Sequence, residues 1–256
     1  MDKALQQRLL SLNRSFYATI AEPFDATRLA PSAGKNELIR RLPLDAGLSL
    51  ADIGCGNGRL AWLLEERALP LEYIGVDANA QLLALAQAHT GTLRFVRTRF
   101  IEADLAQPNW PTRLTKPGAG FDVVTCLATL HHLPGYDLRC ATLQRLAALV
   151  RPGGMVAIST WQFLTAERFR TKQVDWAEVG VDATQVEPGD ALLPWKQGHY
   201  AVRFVHQIDL DEVTALAAAA GLTLTTTYRA DGKEGNLNLY ALLHRPHDAG
   251  SNLISK

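Results

Sequence analysis

Short runs rich in β-branched and apolar residues alternate with helical runs between Leu48 and Trp161. The predicted strands are Leu48–Ile53, Leu71–Asp77, Leu93–Ile101, Phe121–Leu127 and Met155–Trp161. Apolar residues at helical spacing predict helices between them, at Arg59–Ala68, Ala80–His89 and Cys140–Val150. Strands that alternate with helices form a parallel sheet covered on both faces. The pattern therefore predicts an α/β fold.

The chain continues beyond this alternation with a helix and a hairpin. Asp209 is expected to cap a helix that ends at Gly221. The strand-like runs Leu222–Tyr228 and Asn236–Leu243 are joined by a turn rich in glycine, Asp231–Gly235. This arrangement predicts an antiparallel hairpin that completes the sheet.

The 256 residues suggest one large domain. Residues 1–47 are mostly helical and are interpreted as an N-terminal cap. Residues 162–208 interrupt the core, 48–161, and a connection that long is usually functional. We interpret this polar insert as a substrate cap, and residues 209–256 as the remainder of the core.

Composition excludes several classes of protein. With 26 basic and 26 acidic residues the formal charge is zero, which argues against bulk electrostatic binding of nucleic acid. An apolar content of 47% excludes a disordered chain. The three cysteines form no Cys-x-x-Cys pair, so neither a disulfide framework nor a metal site is expected. No apolar run approaches the roughly 20 residues of a membrane span, and we expect a cytoplasmic protein.

The most specific motif lies where the first strand turns into a helix. It reads Asp52-Ile-Gly54-Cys-Gly56-Asn-Gly58, and glycines there allow a tight turn and close approach of a ligand to the backbone. A dinucleotide fingerprint would have its third glycine at position 59, which is Arg59. The acid before the loop would repel a pyrophosphate but suits a ligand with a cationic amine.

Acidic residues also end the next two strands. Asp77 closes the second strand, where a carboxylate can accept both hydroxyls of a ribose. Asp104 follows the third strand and could accept from the amino group of adenine. The alternative interpretation is a plain tight turn with solvated loop acids. Three acids at successive strand ends favour a ligand site at the edge of an open sheet.

These residues resemble those of class I S-adenosylmethionine-dependent methyltransferases. The resemblance implies a Rossmann-like, mostly parallel seven-stranded sheet with an antiparallel C-terminal hairpin, and S-adenosyl-L-methionine as cofactor. It implies that the glycine loop holds the methionine part, Asp77 the ribose and Asp104 the adenine. We also place Leu127, the last residue of the fourth strand, at the cofactor site.

Flanking motifs carry a narrower resemblance. In order, they are Phe24-Asp-Ala-Thr-Arg28, Asp190-Ala-Leu-Leu-Pro-Trp195 and Arg203-Phe-Val-His206. Together they resemble the wobble-uridine tRNA methyltransferases, including the methyltransferase part of the AlkB-like tRNA modification protein. That family esterifies the carboxylate of 5-carboxymethyluridine in tRNA. The resemblance implies tRNA as partner and, as in the eukaryotic members, a small zinc-binding activator subunit.

A carboxylate acceptor is consistent with a sequence that shows no obvious general base. It is anionic at pH 7 and attacks a sulfonium methyl without a general base, so positioning is the main requirement. Arg28 and Arg203 are candidates for holding the carboxylate, because a guanidinium binds two oxygens in one plane. His206 could donate a further hydrogen bond. Alternatively, Arg28 caps a helix and Arg203 pairs with a local acid.

Four further residues are candidates for the acceptor site. His131 and His132 follow the fourth strand and could face the methyl-transfer pocket, although paired histidines there are more often structural. Tyr17 and Trp195 could stack on a base. Either aromatic residue could equally belong to the core of the cap region.

The sequence leaves the acceptor and the RNA contact open. Arg94, Arg97 and Arg99 could touch phosphates, or they could protect the edge of the sheet from unwanted pairing. A small-molecule carboxyl or hydroxyl methyltransferase is the alternative function, and the neutral charge favours it. A non-catalytic cofactor-binding partner protein is a third hypothesis.

Overall fold

The computed structural model describes residues 1–26, 32–43, 45, 47–115 and 117–248. The helices are α1 (Lys3–Ala26), α2 (Ala33–Arg41), α3 (Arg59–Glu65), α4 (Ala80–Thr90), α5 (Tyr136–Leu149), α6 (Glu167–Arg170) and α7 (Leu210–Ala219). The strands are β1 (Leu48–Ile53), β2 (Leu71–Asp77), β3 (Val96–Glu102), β4 (Phe121–Leu127), β5 (Val150–Trp161), β6 (Asp190–Trp195), β7 (Ala201–His206), β8 (Thr223–Ala230) and β9 (Asn238–His244). Within these described ranges, no helix has both the length and the apolar character needed to cross a membrane.

The main sheet has seven strands in the order β3-β2-β1-β4-β5-β9-β8. Strands β1 to β5 run parallel, and β9 pairs antiparallel with both β5 and β8. The predicted fold class and C-terminal hairpin are therefore confirmed. The strand order reverses between β1 and β4, and ligands of open α/β sheets bind at the carboxyl ends beside such a reversal.

Helices cover both faces of the sheet. On one face, Leu38 of α2 and Leu60 of α3 belong to a single buried cluster with strand residues. On the other face, Leu146 of α5 and Leu216 of α7 belong to a second cluster. Strands buried on both sides hold their carboxyl ends in fixed positions, so the loops that follow them start from a rigid base.

The hairpin strands β8 and β9 are each shifted by one or two residues from the predicted runs, Leu222–Tyr228 and Asn236–Leu243, and two further strand boundaries differ for identifiable reasons. The third strand begins at Val96 rather than Leu93, because the Glu65 carboxylate accepts the backbone N–H groups of Arg94 and Phe95. The fifth strand begins at Val150 rather than Met155, because its proline–glycine segment is also paired. Val150 aligns with Phe121 of β4, and the strand bulges before the regular ladder resumes.

The insert contains a second, two-stranded sheet that the sequence did not predict. Strands β6 and β7 pair antiparallel, with Leu192 opposite Phe204. Their apolar side chains pack against α1, where Leu5 and Leu9 join the same buried cluster. Helix α1 and strand β7 therefore lie together beside the core, although they are far apart in the sequence.

Candidate active site

The three glycines of the loop between β1 and α3 differ in the space that surrounds them. All have positive φ, at +79° for Gly54, +55° for Gly56 and +73° for Gly58. A β-carbon at Gly54 would collide with Thr129, and one at Gly58 would lie 2.9 Å from the β-carbon of Ala86. A β-carbon at Gly56 would meet no atom within 4 Å. Only Gly56 therefore faces open space within the loop.

Asp77 lies at the end of β2, beside this open space. Its Oδ2 atom accepts the backbone N–H of Gly56 and its Oδ1 atom accepts that of Asn79, both at 2.9 Å. Burial raises the pKa of the carboxyl, the two backbone hydrogen bonds oppose that rise, and the charge of Asp52 adds to it. The side chain is half-buried, so it ties the loop in place and still presents oxygen to a ligand.

Asp52 lies beneath the loop and is only 3% exposed. Tyr73 donates its hydroxyl to one carboxylate oxygen and Thr125 donates to the other, both at 2.6 Å. Burial raises its pKa, although these two hydrogen bonds oppose the rise. The carboxyl thus links β1 to β2 and β4, and both of its oxygens already have partners within the protein.

The other predicted cofactor residues also lie at carboxyl ends of strands. Asp104 follows β3 and pairs with Arg14 of α1 at 3.0 Å. Leu127 ends β4 and is buried. The next residue, Ala128, has a φ of +53°, which is rare for a residue with a β-carbon. Such strain is typical of functional sites, and here it turns the chain sharply at the reversal of strand order.

Taken together, this edge of the sheet fits S-adenosylmethionine. The open space at Gly56 provides a cradle that a side chain would fill. Asp77 presents a half-buried carboxylate next to that cradle. Asp104 lies at the end of the neighbouring strand, with a side chain that is 29% exposed. The resemblance assigns the loop, the central acid and the outer acid to the methionine, ribose and adenine parts, and this assignment stays a prediction.

Arg203, on β7, is the most distinctive residue of the predicted acceptor site. Its guanidinium carbon lies 5.0 Å from the ring centre of Phe16 and 4.8 Å from that of Trp161. The Nε atom is buried and has no hydrogen-bond partner in the described part of the chain. No described carboxylate lies within salt-bridge distance. The alternative that Arg203 pairs with a local acid therefore receives no support from the described residues.

The two histidines after β4 are arranged next to Arg203. His131 is 2% exposed, and its Nδ1 atom accepts the backbone N–H of Trp161 at 3.3 Å. Burial, followed by the charges of His132 and Arg203, holds the pKa of His131 well below its usual range. It is therefore a neutral ring, with its remaining proton on Nε2.

His132 connects α1 to β7. Its Nδ1 atom lies 3.2 Å from the carbonyl oxygen of Phe204, which can only accept, so Nδ1 carries a proton. Its Nε2 atom lies 2.7 Å from the Tyr17 hydroxyl, and in the neutral ring this nitrogen accepts from the hydroxyl. Tyr17, His131, His132 and Arg203 are thus brought together, and their part in binding the acceptor stays a prediction.

Trp195 packs against α1. Trp195, at the end of β6, packs edge-on against Phe16 at 6.5 Å and donates its indole N–H to the carbonyl of Gln197. It is half-buried and belongs to neither of the buried clusters around β6 and β7. Arg28 lies outside the described residues, so its predicted part in holding the carboxylate stays a prediction.

His206 is separated from the acceptor cluster. It is three positions after Arg203 on β7, so the two side chains project from opposite faces of the strand. Its Nδ1 lies 2.6 Å from Asp190 and its Nε2 lies 2.8 Å from Glu212. The atoms of Glu187, Asp190 and His206 that could bind a metal ion lie within 4.8 Å of one another. Each of these residues already has ionic or hydrogen-bond partners. The structure thus places His206 in an ion-pair network and not beside the acceptor.

Two residues that support this region, Arg139 and Asn13, were not predicted from the sequence. Arg139 of α5 is 1% exposed, and it pairs with Glu212 at 2.7 Å and with Glu187 at 2.8 Å. Its position was readable: Arg139, Leu143 and Leu146 share one helical face, and an arginine on an apolar face requires buried acids. Asn13 of α1, which bonds the backbone of β7, left no comparable signal.

Comparison with curated proteins gives a consistent picture. Residues 51–156 match the family described as "Methyltransferase domain". The trans-aconitate 2-methyltransferase of Rhodopseudomonas palustris is 28% identical over 249 residues, covering 82% of this chain and 90% of that protein. The Escherichia coli protein of the same name is 28% identical over 209 residues, covering 75% of each.

Solved structures share the fold. A putative methyltransferase of Haloferax volcanii, in complex with the Trm112 methyltransferase activator, has a TM-score of 0.62 at 15% identity and covers 91% of this chain and 97% of its own. The 1,6-didemethyltoxoflavin-N1-methyltransferase of Burkholderia thailandensis, solved with S-adenosylhomocysteine, has a TM-score of 0.61 at 20% identity and covers 94% and 90%. These proteins resemble the chain along nearly its whole length.

Proposed function

Because this chain is a class I S-adenosylmethionine-dependent methyltransferase, we propose that it methylates a carboxylate oxygen of a small organic acid and forms a methyl ester. The guanidinium of Arg203 carries the proposal: within the described residues it has no anionic partner, and it lies at the carboxyl ends of β4 and β5. The named relatives support it, since trans-aconitate is itself a small carboxylic acid. The non-catalytic hypothesis is not retained.

The cofactor residues bind different parts of S-adenosylmethionine. S-adenosylmethionine supplies a methyl group on a positively charged sulfur. Gly56 gives the ligand access to the loop, and Asp77 accepts from the ribose hydroxyls. Asp52 acts from beneath, where its negative charge lies under the loop that receives the cationic methionine part. Asp104 exchanges part of its contact with Arg14 for the adenine amino group.

The acceptor residues hold an anion and add no base. Arg203 binds the carboxylate with its guanidinium, because these two planar groups form charge-assisted hydrogen bonds. The rings of Phe16 and Trp161 reduce contact of this pair with water, which strengthens the attraction. His131, a neutral ring with its proton on Nε2, can donate one hydrogen bond. Positioning of this kind can remove several kcal/mol from a barrier.

A panel of acids tests the proposal. The full-length protein is incubated with S-adenosylmethionine carrying a labelled methyl group and with trans-aconitate, other dicarboxylates and tricarboxylates, and aromatic monocarboxylates. We expect labelled product that loses its methyl group in mild base, as esters do. Label that enters only amines or phenols, in base-stable form, would contradict carboxylate methylation.

The carboxylate of 5-carboxymethyluridine in tRNA is the second candidate. It offers the same anion to Arg203, and the Haloferax volcanii neighbour forms a complex with an activator protein. The comparisons name small-molecule acceptors and give tRNA no support. Adding tRNA that contains this nucleoside, with and without a Trm112-type protein, gives the assay a second arm; label in RNA in preference to every free acid would favour this candidate.

A further inference from the structure

We propose that His206 is a positioning residue for methyl transfer: in its doubly protonated form it clamps β7 to α5 and α7, and so holds Arg203 in place for the acceptor. This rests on the proposed function of Arg203. It assigns a role to the buried ion-pair network that the mechanism itself does not use.

The protonation state follows from the contacts of the ring. Carboxylate oxygens lie 2.6 Å from Nδ1 and 2.8 Å from Nε2. A neutral imidazole has one N–H, whereas the imidazolium has two. Only the charged ring can therefore donate to Asp190 and Glu212 together. The His206 side chain is 4% exposed and that of Asp190 is fully buried, so water cannot replace a lost bond between these two residues.

The charge balance of the network favours the same form. Three carboxylates face it, from Glu187, Asp190 and Glu212, and Arg139 supplies one positive charge. A protonated His206 supplies the second positive charge, while a neutral ring would leave three carboxylates, of which that of Asp190 is fully buried, against one cation. Burial of the ring opposes its charge, but the hydrogen bonds to Asp190 and Glu212 outweigh burial and raise the pKa of His206.

Besides Asp190, which lies on the paired strand β6, the network connects three parts of the chain. His206 belongs to β7, Glu212 to the first turn of α7 and Arg139 to α5. Arg139 also donates to the carbonyl of Leu133, just after the histidine pair, at 3.2 Å. The clamp therefore fixes β7 relative to the elements that follow β4, where the acceptor histidines lie.

Strand β7 carries this restraint to Arg203. Between the two residues, Phe204 is held from the other side: Asn13 accepts its N–H at 2.8 Å and donates to its carbonyl at 3.1 Å. Arg203 itself contacts rings, which restrain a guanidinium less than a salt bridge does. Its position therefore depends on the backbone of β7, and the backbone depends on both anchors.

The clamp predicts a pH dependence that the chemistry alone does not. A carboxylate acceptor stays ionised between pH 6 and 9 and needs no base, so the methyl-transfer step should be nearly independent of pH there. Because the pKa of His206 is raised in the folded state, the clamp is complete below the ordinary histidine pKa of about 6.5. One of the two ring hydrogen bonds is lost as pH rises through the raised value.

Kinetics across pH 6 to 9 form the first test. For the wild type we expect KM for the acid to rise roughly tenfold across the His206 titration, as for loss of one charged hydrogen bond, with an unchanged Kd for S-adenosylmethionine. His206→Gln should show a high KM at every pH and a flat profile. His199→Gln, at an exposed histidine in the turn between β6 and β7, should behave as the wild type. A titration that persists in His206→Gln would overturn the proposal.

Nitrogen-15 NMR of the histidine rings of the wild-type protein is the second test and does not depend on activity or on a folded variant. We expect both ring nitrogens of His206 to carry protons at pH 7, and one to lose its proton at higher pH. A neutral His206 ring at pH 7 would overturn the clamp even if acids are methylated. If the ring is doubly protonated but no acid is turned over, the proposed function fails and the protonated network stands, without the role in catalysis.

Discussion

The cofactor end and the acceptor end of the active site are built in different ways. The cofactor end consists of a loop, 52–58, and the acids that follow β2 and β3, Asp77 and Asp104; Asp77 accepts the backbone N–H of Gly56 in the loop. The acceptor end brings together Tyr17 of α1, His132 after β4, Trp161 of β5 and Arg203 of β7. The first is local in sequence, whereas the second exists only once the whole chain has folded.

This difference determines which substitutions each end can tolerate. Backbone geometry and positive φ values fix the loop, so few sequences satisfy it. The acceptor end depends on side chains carried by α1 and the insert, which can change without disturbing the sheet. A chain can therefore keep the cofactor and alter its acceptor, since binding sites on a shared fold vary with the loops.

Replacing Arg203 should have the largest effect and act on one end only. For Arg203→Ala we expect a fall of roughly 100-fold in kcat/KM for the acid, because truncating one partner of a buried charge pair costs about 2–5 kcal/mol. The Kd for S-adenosylmethionine, measured by isothermal titration, should not change. Arg168→Ala is the matched control, because Arg168 also lies over an aromatic ring, Phe169, but is paired with Glu234.

Two results would contradict the separate roles of the acceptor end and the cofactor end. Equal losses for Arg203→Ala and Arg168→Ala would mean that any nearby cation serves. A weaker cofactor in Arg203→Ala would mean that β7 also supports the cofactor end.

Asp77→Ala should have the opposite pattern. It removes an acceptor of ribose hydroxyls, and we expect the cofactor Kd to rise roughly 30-fold, as for about 2 kcal/mol from charged hydrogen bonds. Asp122→Ala is the control: Asp122 also accepts from a backbone N–H, that of Ser49, but at the amino end of the sheet. It should lower the melting temperature and leave the cofactor affinity intact. An unaltered affinity in Asp77→Ala would contradict the ribose assignment.

Gly56→Ala separates ligand access from backbone strain. Alanine at φ +55° costs about 1 kcal/mol, and Gly221→Ala at φ +66° costs the same. Neither new methyl group meets an atom of the protein within 4 Å. We expect similar losses in melting temperature, but a roughly tenfold rise in cofactor Kd for Gly56→Ala alone. Equal cofactor affinities in both variants would show that the open space at Gly56 is not the cradle.

The sequence predicted most of the core because its signals are local. Strands β1, β2 and β4 have the predicted bounds, since each is a short apolar run ended by a turn or an acid. The glycine loop was predictable because glycine adopts positive φ values at the lowest cost. The start of β3 was not, because it depends on Glu65, thirty residues earlier.

The acceptor end was predicted as a set of residues but not as an arrangement. Arg203 and His206 share a motif, yet a strand places their side chains on opposite faces. The charged residues of the insert indicate a polar stretch, whereas its second half contains the strand Ala201–His206. Nothing in the sequence showed that Arg139 and Glu212 would meet at His206.

Tyr17→Phe is the mildest change and tests whether α1 belongs to the acceptor end. It removes one hydrogen bond to His132, worth about 1 kcal/mol, so we expect a roughly fivefold fall in kcat/KM for the acid. Tyr200→Phe, at an exposed tyrosine that donates to Glu178, should have no such effect. The neighbouring contact of α1 with the cofactor end, from Arg14 to Asp104, stays intact in this variant. A fall in cofactor affinity with unchanged use of the acid would therefore show that α1 acts as a whole on the cofactor, and that the two ends are not separable.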